Sequence, residues 1–288
     1  MLPEELRRRI SELNRKDLNV VPLSSIPAPP PKPREIDLTP EPDDTPGFPG
    51  EEVQMETGQF WRICITMGEI FPQAKEFLSH FRYIFESGGL SVDTATLHPA
   101  VQQFLEFDPG QALYLDIETC GLTSTPLFLV GIMYYKDGDF HLEQLLARDY
   151  TEEEPLLDYL ADVVDRTGIL VTYNGRSFDF PYIVERALLH RKYFDPDKPH
   201  FDLLHEARRR WKELLPDCKL QTIERRILRR TRMADIPSAD IPEVYHDYVR
   251  TGDTVRMKAV LHHNLIDIIS MAEIILHMLA GDYRNPDV

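Results

Sequence analysis

Cysteine is scarce in this chain. Three occur among 288 residues, Cys64, Cys120 and Cys218, far apart and without a CxxC pair. That excludes a disulfide framework and a cysteine zinc site, and it suits a reducing compartment. Long apolar runs are missing too: no stretch of about 18 or more consecutive apolar residues exists, so no membrane span is expected. The opening residues, MLPEELRRRISELNRK, are charged from the outset and lack the apolar core of a secretory signal. The expectation is a cytoplasmic protein with no membrane partner. Positive charge is also in deficit, with 32 Lys and Arg against 48 Asp and Glu and a net charge of −16. Such a balance excludes coating nucleic acid by bulk electrostatics. It leaves room for an enzyme that gathers metal ions in an acidic pocket and grips phosphates locally.

With 42% hydrophobic content the chain can build one sizeable domain, or one domain with additions. Residues 1–16 read as a short amphipathic helix, with Leu6, Ile10 and Leu13 at helical spacing. From about Val20 to Gly50 proline dominates: 11 of the 23 prolines precede residue 60, so an extended or disordered arm is expected. QFWRICITM (59–67) alternates like a strand, and two helical pieces follow it. The division expected is a proline-rich arm over 1–50, an N-terminal extension over 51–110 and a main domain over 111–288.

In that domain ALYLDIET reads as a buried strand, and PLFLVGIMYY and DFHLEQLLA as two more. The Lys136-Asp137-Gly138-Asp139 junction between these last two is a hairpin signal. Next come a helix (EEEPLLDYLADVVDR), a strand (ILVTYNG), a helix (DFPYIVERALLH), a short strand (HFDLL) and several helices, the last over about 254–279. Three strands followed by alternating helix and strand predict an α/β fold with a mixed sheet and helices on its faces.

Three segments carry the chemistry. Asp116 and Glu118 end the apolar strand LYL and share one face, about 6–7 Å apart; buried carboxylates there need a basic partner or a metal. In the string 173–182, YNGRSFDFPY, a strand ends in Asn-Gly and a turn delivers Asp179 to the start of a helix. Each feature alone reads as a turn and an N-cap. Together they bring an acid to the carboxyl edge of a strand, where open α/β sheets bind ligands. On the last helix, His263 and Asp267 in HHNLID are four apart and share a face, within mostly apolar surroundings.

The trio LDIET, YNGRSFDFPY and HNLID resembles the three motifs of the DEDD 3′–5′ exonuclease superfamily. The likeness is strongest to its YprB-type ribonuclease H-like branch, which is similar to the proofreading domains of family B DNA polymerases. The resemblance covers about residues 111–280. It implies a ribonuclease H-like five-stranded mixed sheet flanked by helices, with Asp116, Glu118, Asp179 and Asp267 as metal ligands. It also implies a nuclease that cleaves phosphodiester bonds, in particular a 3′–5′ exonuclease on a single-stranded end of DNA or RNA, with an endonuclease on the same scaffold as the alternative, and a groove shaped by Asn174 and Phe178. Proofreading domains carry a tyrosine four before the last aspartate, where this chain has His263. Another branch has a histidine five before it, here His262. The His-Asn pair and helix geometry favour His263, with His262 as the alternative.

An all-oxygen ligand set suits two Mg²⁺ or Mn²⁺ ions, and a neutral His263 beside the attacking water could take its proton. Ten basic residues lie between Arg208 and Arg232 (Arg208, Arg209, Arg210, Lys212, Lys219, Arg225, Arg226, Arg229, Arg230, Arg232), opposed only by Glu213, Asp217 and Glu224. This strip, with Arg225, Arg226 and Arg229 foremost, is either a phosphate contact or a solvated helix face. Trp211 or Tyr173 could stack on a base. Asp202 reads as a helix N-cap or as an acid near the site. LDIETCGLT superficially resembles a haloacid dehalogenase loop, but that chemistry wants an aspartate where Glu118 stands. A catalytically weak or inactive nucleic-acid-binding scaffold, with a protein partner on the proline-rich arm, is the remaining alternative.

Overall fold

Strand β3 (Ala112–Thr119) lies near the middle of the sheet and shows how the sequence positions the site. Its residues alternate between two cores. Leu113, Leu115 and Ile117 enter one; Ala112 and Tyr114 enter the other. Asp116 and Glu118 continue the second set, so strand periodicity alone puts both acids on one sheet face.

The computed structural model describes residues 47–70, 74–87, 89–90, 94–232 and 235–280. The helix expected over 1–16, and most of the proline-rich arm, lie outside the described residues. β1 (Glu51–Met55) and β2 (Gly58–Thr66) form a hairpin; β4 (Leu127–Lys136) and β5 (Asp139–Leu146) form another; β6 (Ile169–Thr172) and β7 (His200–Asp202) follow. The sheet order is β1-β2-β5-β4-β3-β6-β7, with β3, β6 and β7 parallel and the other pairings antiparallel. Asp137 and Gly138 carry φ of 52° and 82° between paired Lys136 and Asp139, as a primed two-residue hairpin turn requires.

The expected sheet had five strands; among the described residues the observed one has seven. β2 pairs along β5 and brings β1 with it, so the N-terminal extension prolongs the sheet. EEVQM gave no strand signal because it is a polar edge strand, with Glu51, Glu52 and Gln54 exposed.

Helices cover both faces. On one side pack α1 (Ala74–Phe85), α2 (Pro99–Leu105) and much of the last helix, α8 (Val255–Ala280), through Phe77, Phe81, Phe104, Ile268, Ala272 and Ile275. On the other pack α3 (Glu153–Arg166), α4 (Asp179–Leu189) and α7 (Ile241–Thr251), through Leu156, Leu160, Ile183 and Tyr245. Between them in the chain lie α5 (Leu203–Trp211) and α6 (Leu220–Arg226). By length and composition the Val255–Leu279 stretch of α8 matches a membrane span, although uninterrupted apolar runs gave none. Of that apolar window 78% is buried inside the protein, so it serves as the core helix over β3 and β4.

Gly131 sets how closely α8 approaches. It sits in β4 directly opposite Asp116. A Cβ at Gly131 would stand 2.1 Å from Ile268 Cδ1 and 2.3 Å from Asn264 Oδ1. The missing side chain is a notch that seats α8 on the sheet. Gly131→Ala is expected to lower stability by about 1–3 kcal/mol, read as a reduced urea midpoint. An unchanged midpoint would show that α8 yields without cost.

Candidate functional site

The amide of Ile117 lies beyond the β3–β6 pairing, which ends at Tyr114↔Val171. Asp179, the first residue of α4, fills that gap: its Oδ1 accepts from Ile117 N–H at 3.2 Å. A side chain thus satisfies a buried backbone donor and ties the second motif to the first. Asp179 is buried at 5% exposure, while Asp116, Glu118 and Asp267 keep a partly open side.

The turn before Asp179 is organised by Asp202. Its carboxylate accepts from Asn174 N–H at 2.8 Å and from Arg176 N–H at 3.1 Å, and it caps α5 through Leu204 N–H at 3.0 Å. Asp202 is therefore both an N-cap and the clamp on the motif turn. Asn174 carries φ of 70°, the left-handed conformation that Asn tolerates. Its side chain is exposed at the turn, and Phe178 is half-buried with its ring 5.6 Å from that of Tyr182.

From above the sheet, α8 supplies Asn264, His263 and Asp267. Asn264 Nδ2 donates to Asp116 Oδ2 at 2.9 Å, and Gln144 Nε2 on β5 donates to Asn264 Oδ1 at 3.0 Å and to Leu261 O at 2.6 Å. His263, 4% exposed, has Nδ1 2.7 Å from Asp235 Oδ1 and Nε2 3.7 Å from Asp267 Oδ2. With a carboxylate so close, Nδ1 carries the proton and Nε2 turns toward the acids. His263 is the member of the histidine pair that meets Asp267; burial pushes the His262 ring down to about 4.

Like charge accumulates here. Burial first, then the neighbouring Asp267, Asp179 and Glu118, hold the Asp116 carboxyl well above its ordinary range. Burial raises Glu118 to about 8 against the pull of His263, and Asp179 to about 7 against its backbone hydrogen bonds. Asp267 is also raised by burial, although Arg232 and His263 oppose it. For His263, burial works downward, but the Asp235 bond and the charges of Asp267 and Glu118 prevail and raise it. Four oxygen-donor side chains that repel one another fit a hard divalent cation. Among the described residues, no three His, Cys, Asp or Glu side chains stand as a preformed ligand group. Asp116 is instead turned to Asn264, Asp179 to Ile117 N–H and Asp267 to Arg232.

The basic strip divides. Arg225 and Arg226 are exposed on α6, and Arg229 is half-buried with φ of 52°. Arg230 and Arg232 are interior ion-pair partners, and Arg209 and Arg210 lean on Glu206. Trp211, 9% exposed, belongs to the core beside His277 and is not available to a base. The Tyr173 hydroxyl donates to Cys218 O, so that ring is tied down as well. Gln144, Asp235 and Arg232 are the site neighbours that motif reading missed.

A family model described as the RNase H superfamily matches residues 113–279, more than half of the chain and all four acids. The chain belongs to the RNase H superfamily. Its members are nuclease-like and generally use divalent metals. The ribonuclease H-like, YprB-type part of the resemblance read from the three motifs is borne out. This RNase H superfamily member is 34% identical over 178 residues to the uncharacterized protein YprB of Bacillus subtilis (strain 168), covering 60% of this chain and 43% of YprB. It is 23% identical over 166 residues to DNA polymerase 1 of Sulfurisphaera ohwakuensis, covering 56% of this chain and 18% of the polymerase. Among solved structures it is similar to the family B DNA polymerase of the hyperthermophilic archaeon Pyrobaculum calidifontis. There the identity is 16% and the TM-score 0.45, over 58% of this chain and 24% of that one. The matched part is thus less than half the length of each of these relatives.

A carboxyl whose pKa is raised by folding contributes stability that is complete below its unfolded value and lost as pH climbs through its folded value. For Asp179 and Glu118 the loss runs from the ordinary values of 3.8 and 4.5 up to about 7 and about 8. His263, raised above 6.5, works in the same direction. The metal-free protein is therefore expected to lose about 5 °C or more of Tm between pH 5 and pH 8, and Mn²⁺ is expected to restore it. A flat Tm in EDTA across that range would contradict the buried-charge assignment.

Proposed function

We propose that this chain hydrolyses phosphodiester bonds of DNA or RNA from a 3′ end. Asp116, Glu118, Asp179 and Asp267 are the proposed holders of two Mg²⁺ or Mn²⁺ ions. The observation that carries this reading is the convergence of four acids from three separate motifs at the carboxyl edge of β3 and β6, under α8, with mutual repulsion that a divalent cation relieves. That one relative is named as a DNA polymerase supports nucleic acid as the substrate class.

Divalent cations held there supply Lewis acidity for the attacking water and the leaving oxygen. The chain's own residues do the rest. His263 Nε2, on the side of Asp267, takes the proton of the attacking water, and Asp235 holds the ring in the tautomer that leaves Nε2 free. Asn264, itself fixed by Gln144, keeps one oxygen of Asp116 oriented. Exposed Arg225 and Arg226 follow Glu224 on α6, and with Arg229 they offer phosphate contacts along the approach. One observation favours a second reading, an inactive nucleic-acid-binding module: Asp267 already has a cationic partner in Arg232.

The assay that separates the two uses 5′- and 3′-labelled single-stranded DNA and RNA in Mn²⁺, Mg²⁺ or EDTA. Metal-dependent laddering from the 3′ end is expected, and Asp116→Ala and Asp179→Ala should each lower the rate on the order of a thousandfold or more while staying folded. Wild-type cleavage by those variants would sink the metal assignment, and no cleavage of any substrate would favour the inactive module. Asp235→Asn should cut kcat by about 10–100-fold with Mn²⁺ affinity unchanged in calorimetry. Unchanged kcat would remove Asp235 from the account.

A further inference from the structure

Arg232 came from a strip read as a solvent or phosphate face, yet its side chain is 8% exposed and stands among three carboxylates. Glu224 takes the guanidinium as a fork, with Nε at 2.7 Å and Nη2 at 2.8 Å. Glu224, 1% exposed, is itself fixed by Arg230 at 2.9 Å, and Arg230 by Glu273 of α8 at 2.7 Å. The guanidinium is thus anchored from behind, whatever happens in front of it. In front, Nη2 donates to Asp267, and Nη1 lies 3.6 Å from Asp235.

These carboxylates differ in what else they hold. Glu224 also has Arg230, and Asp235 has His263 at 2.7 Å. The guanidinium and a divalent cation compete for Asp267, because two positive groups on one carboxylate repel each other and each weakens the other's hold. We propose that Arg232 is an exchangeable counter-ion of Asp267 and a catalytic residue that grips the scissile phosphate. When Asp267 turns to a divalent cation, the N–H it releases stays aimed into the cleft by Glu224 and takes a phosphate oxygen. A guanidinium suits both duties, being permanently charged, planar and matched to carboxylate and phosphate alike. The proposal rests on the nuclease reading above and adds an order to it: Arg232 is withheld from phosphate until Asp267 is occupied. Glu224 and Arg230 become positioning residues that act through Arg232.

The test pairs calorimetric Mn²⁺ titration without substrate and single-turnover cleavage of a labelled single strand at saturating Mn²⁺. Arg232→Gln should bind Mn²⁺ roughly tenfold more tightly, since no ion pair has to be exchanged. It should cleave about a hundredfold more slowly or worse, as on loss of a donor to the reacting phosphate. Arg232→Lys, which keeps charge without the fork, should also cleave slowly. Equal or weaker Mn²⁺ binding by folded Arg232→Gln, or undiminished cleavage by either variant, overturns the proposal. Should Arg232→Gln fail to fold, full-rate cleavage by Arg232→Lys alone does so. A wild-type protein that neither binds Mn²⁺ nor cleaves overturns the nuclease reading itself, and this proposal with it.

Discussion

Four carboxylates brought to one place out of bulk water repel one another, and much of the structure around them manages that repulsion. Asp116, Glu118, Asp179 and Asp267 reach each other from a strand, a helix start and a long buried helix. Each is met by a protein group that lowers the cost: Asn264 for Asp116, the Ile117 amide for Asp179, Arg232 and His263 for Asp267, and the nearby His263 for Glu118. These contacts do not abolish the strain, because the pKa values of all four remain raised. Such a cluster is costly for folding alone and becomes intelligible as a binding site for positive charge.

Behind the acids the packing is arranged so that α8 can come close. Gly131 removes a side chain where Ile268 and Asn264 must sit, and Gln144 fixes Asn264 from the next strand. On the far side, Glu224, Arg230 and Glu273 form an interior ion-pair chain that joins α6 to α8 and holds Arg232 at the rim. Burial favours the neutral form of Glu224, yet the two arginines keep its carboxyl below the ordinary value. The cleft therefore gathers four acids, and its wall is an ion-pair chain that ends in the Arg232 guanidinium.

Much of this was legible in the sequence, for physical reasons that can be named. Strand alternation placed Asp116 and Glu118 on one face, the Asp-Gly pair gave the β4–β5 hairpin, and helical spacing put His263 beside Asp267. What escaped reading was tertiary. β1 is a polar edge with no apolar alternation to betray it. Trp211 and Arg232 were assigned to a surface because a charge run says nothing about which side chains turn inward. Asp235 carries no motif and meets His263 only through folding. Gly131 did leave a signal, since a glycine inside an apolar strand marks close approach of another element.

The most direct test of the central claim is anomalous diffraction at the manganese edge from crystals equilibrated with Mn²⁺. The account predicts two peaks among Asp116, Glu118, Asp179 and Asp267, with the Arg232 guanidinium withdrawn from Asp267 and still forked on Glu224. Manganese bound only elsewhere, or no peak beside these four carboxylates, would contradict it.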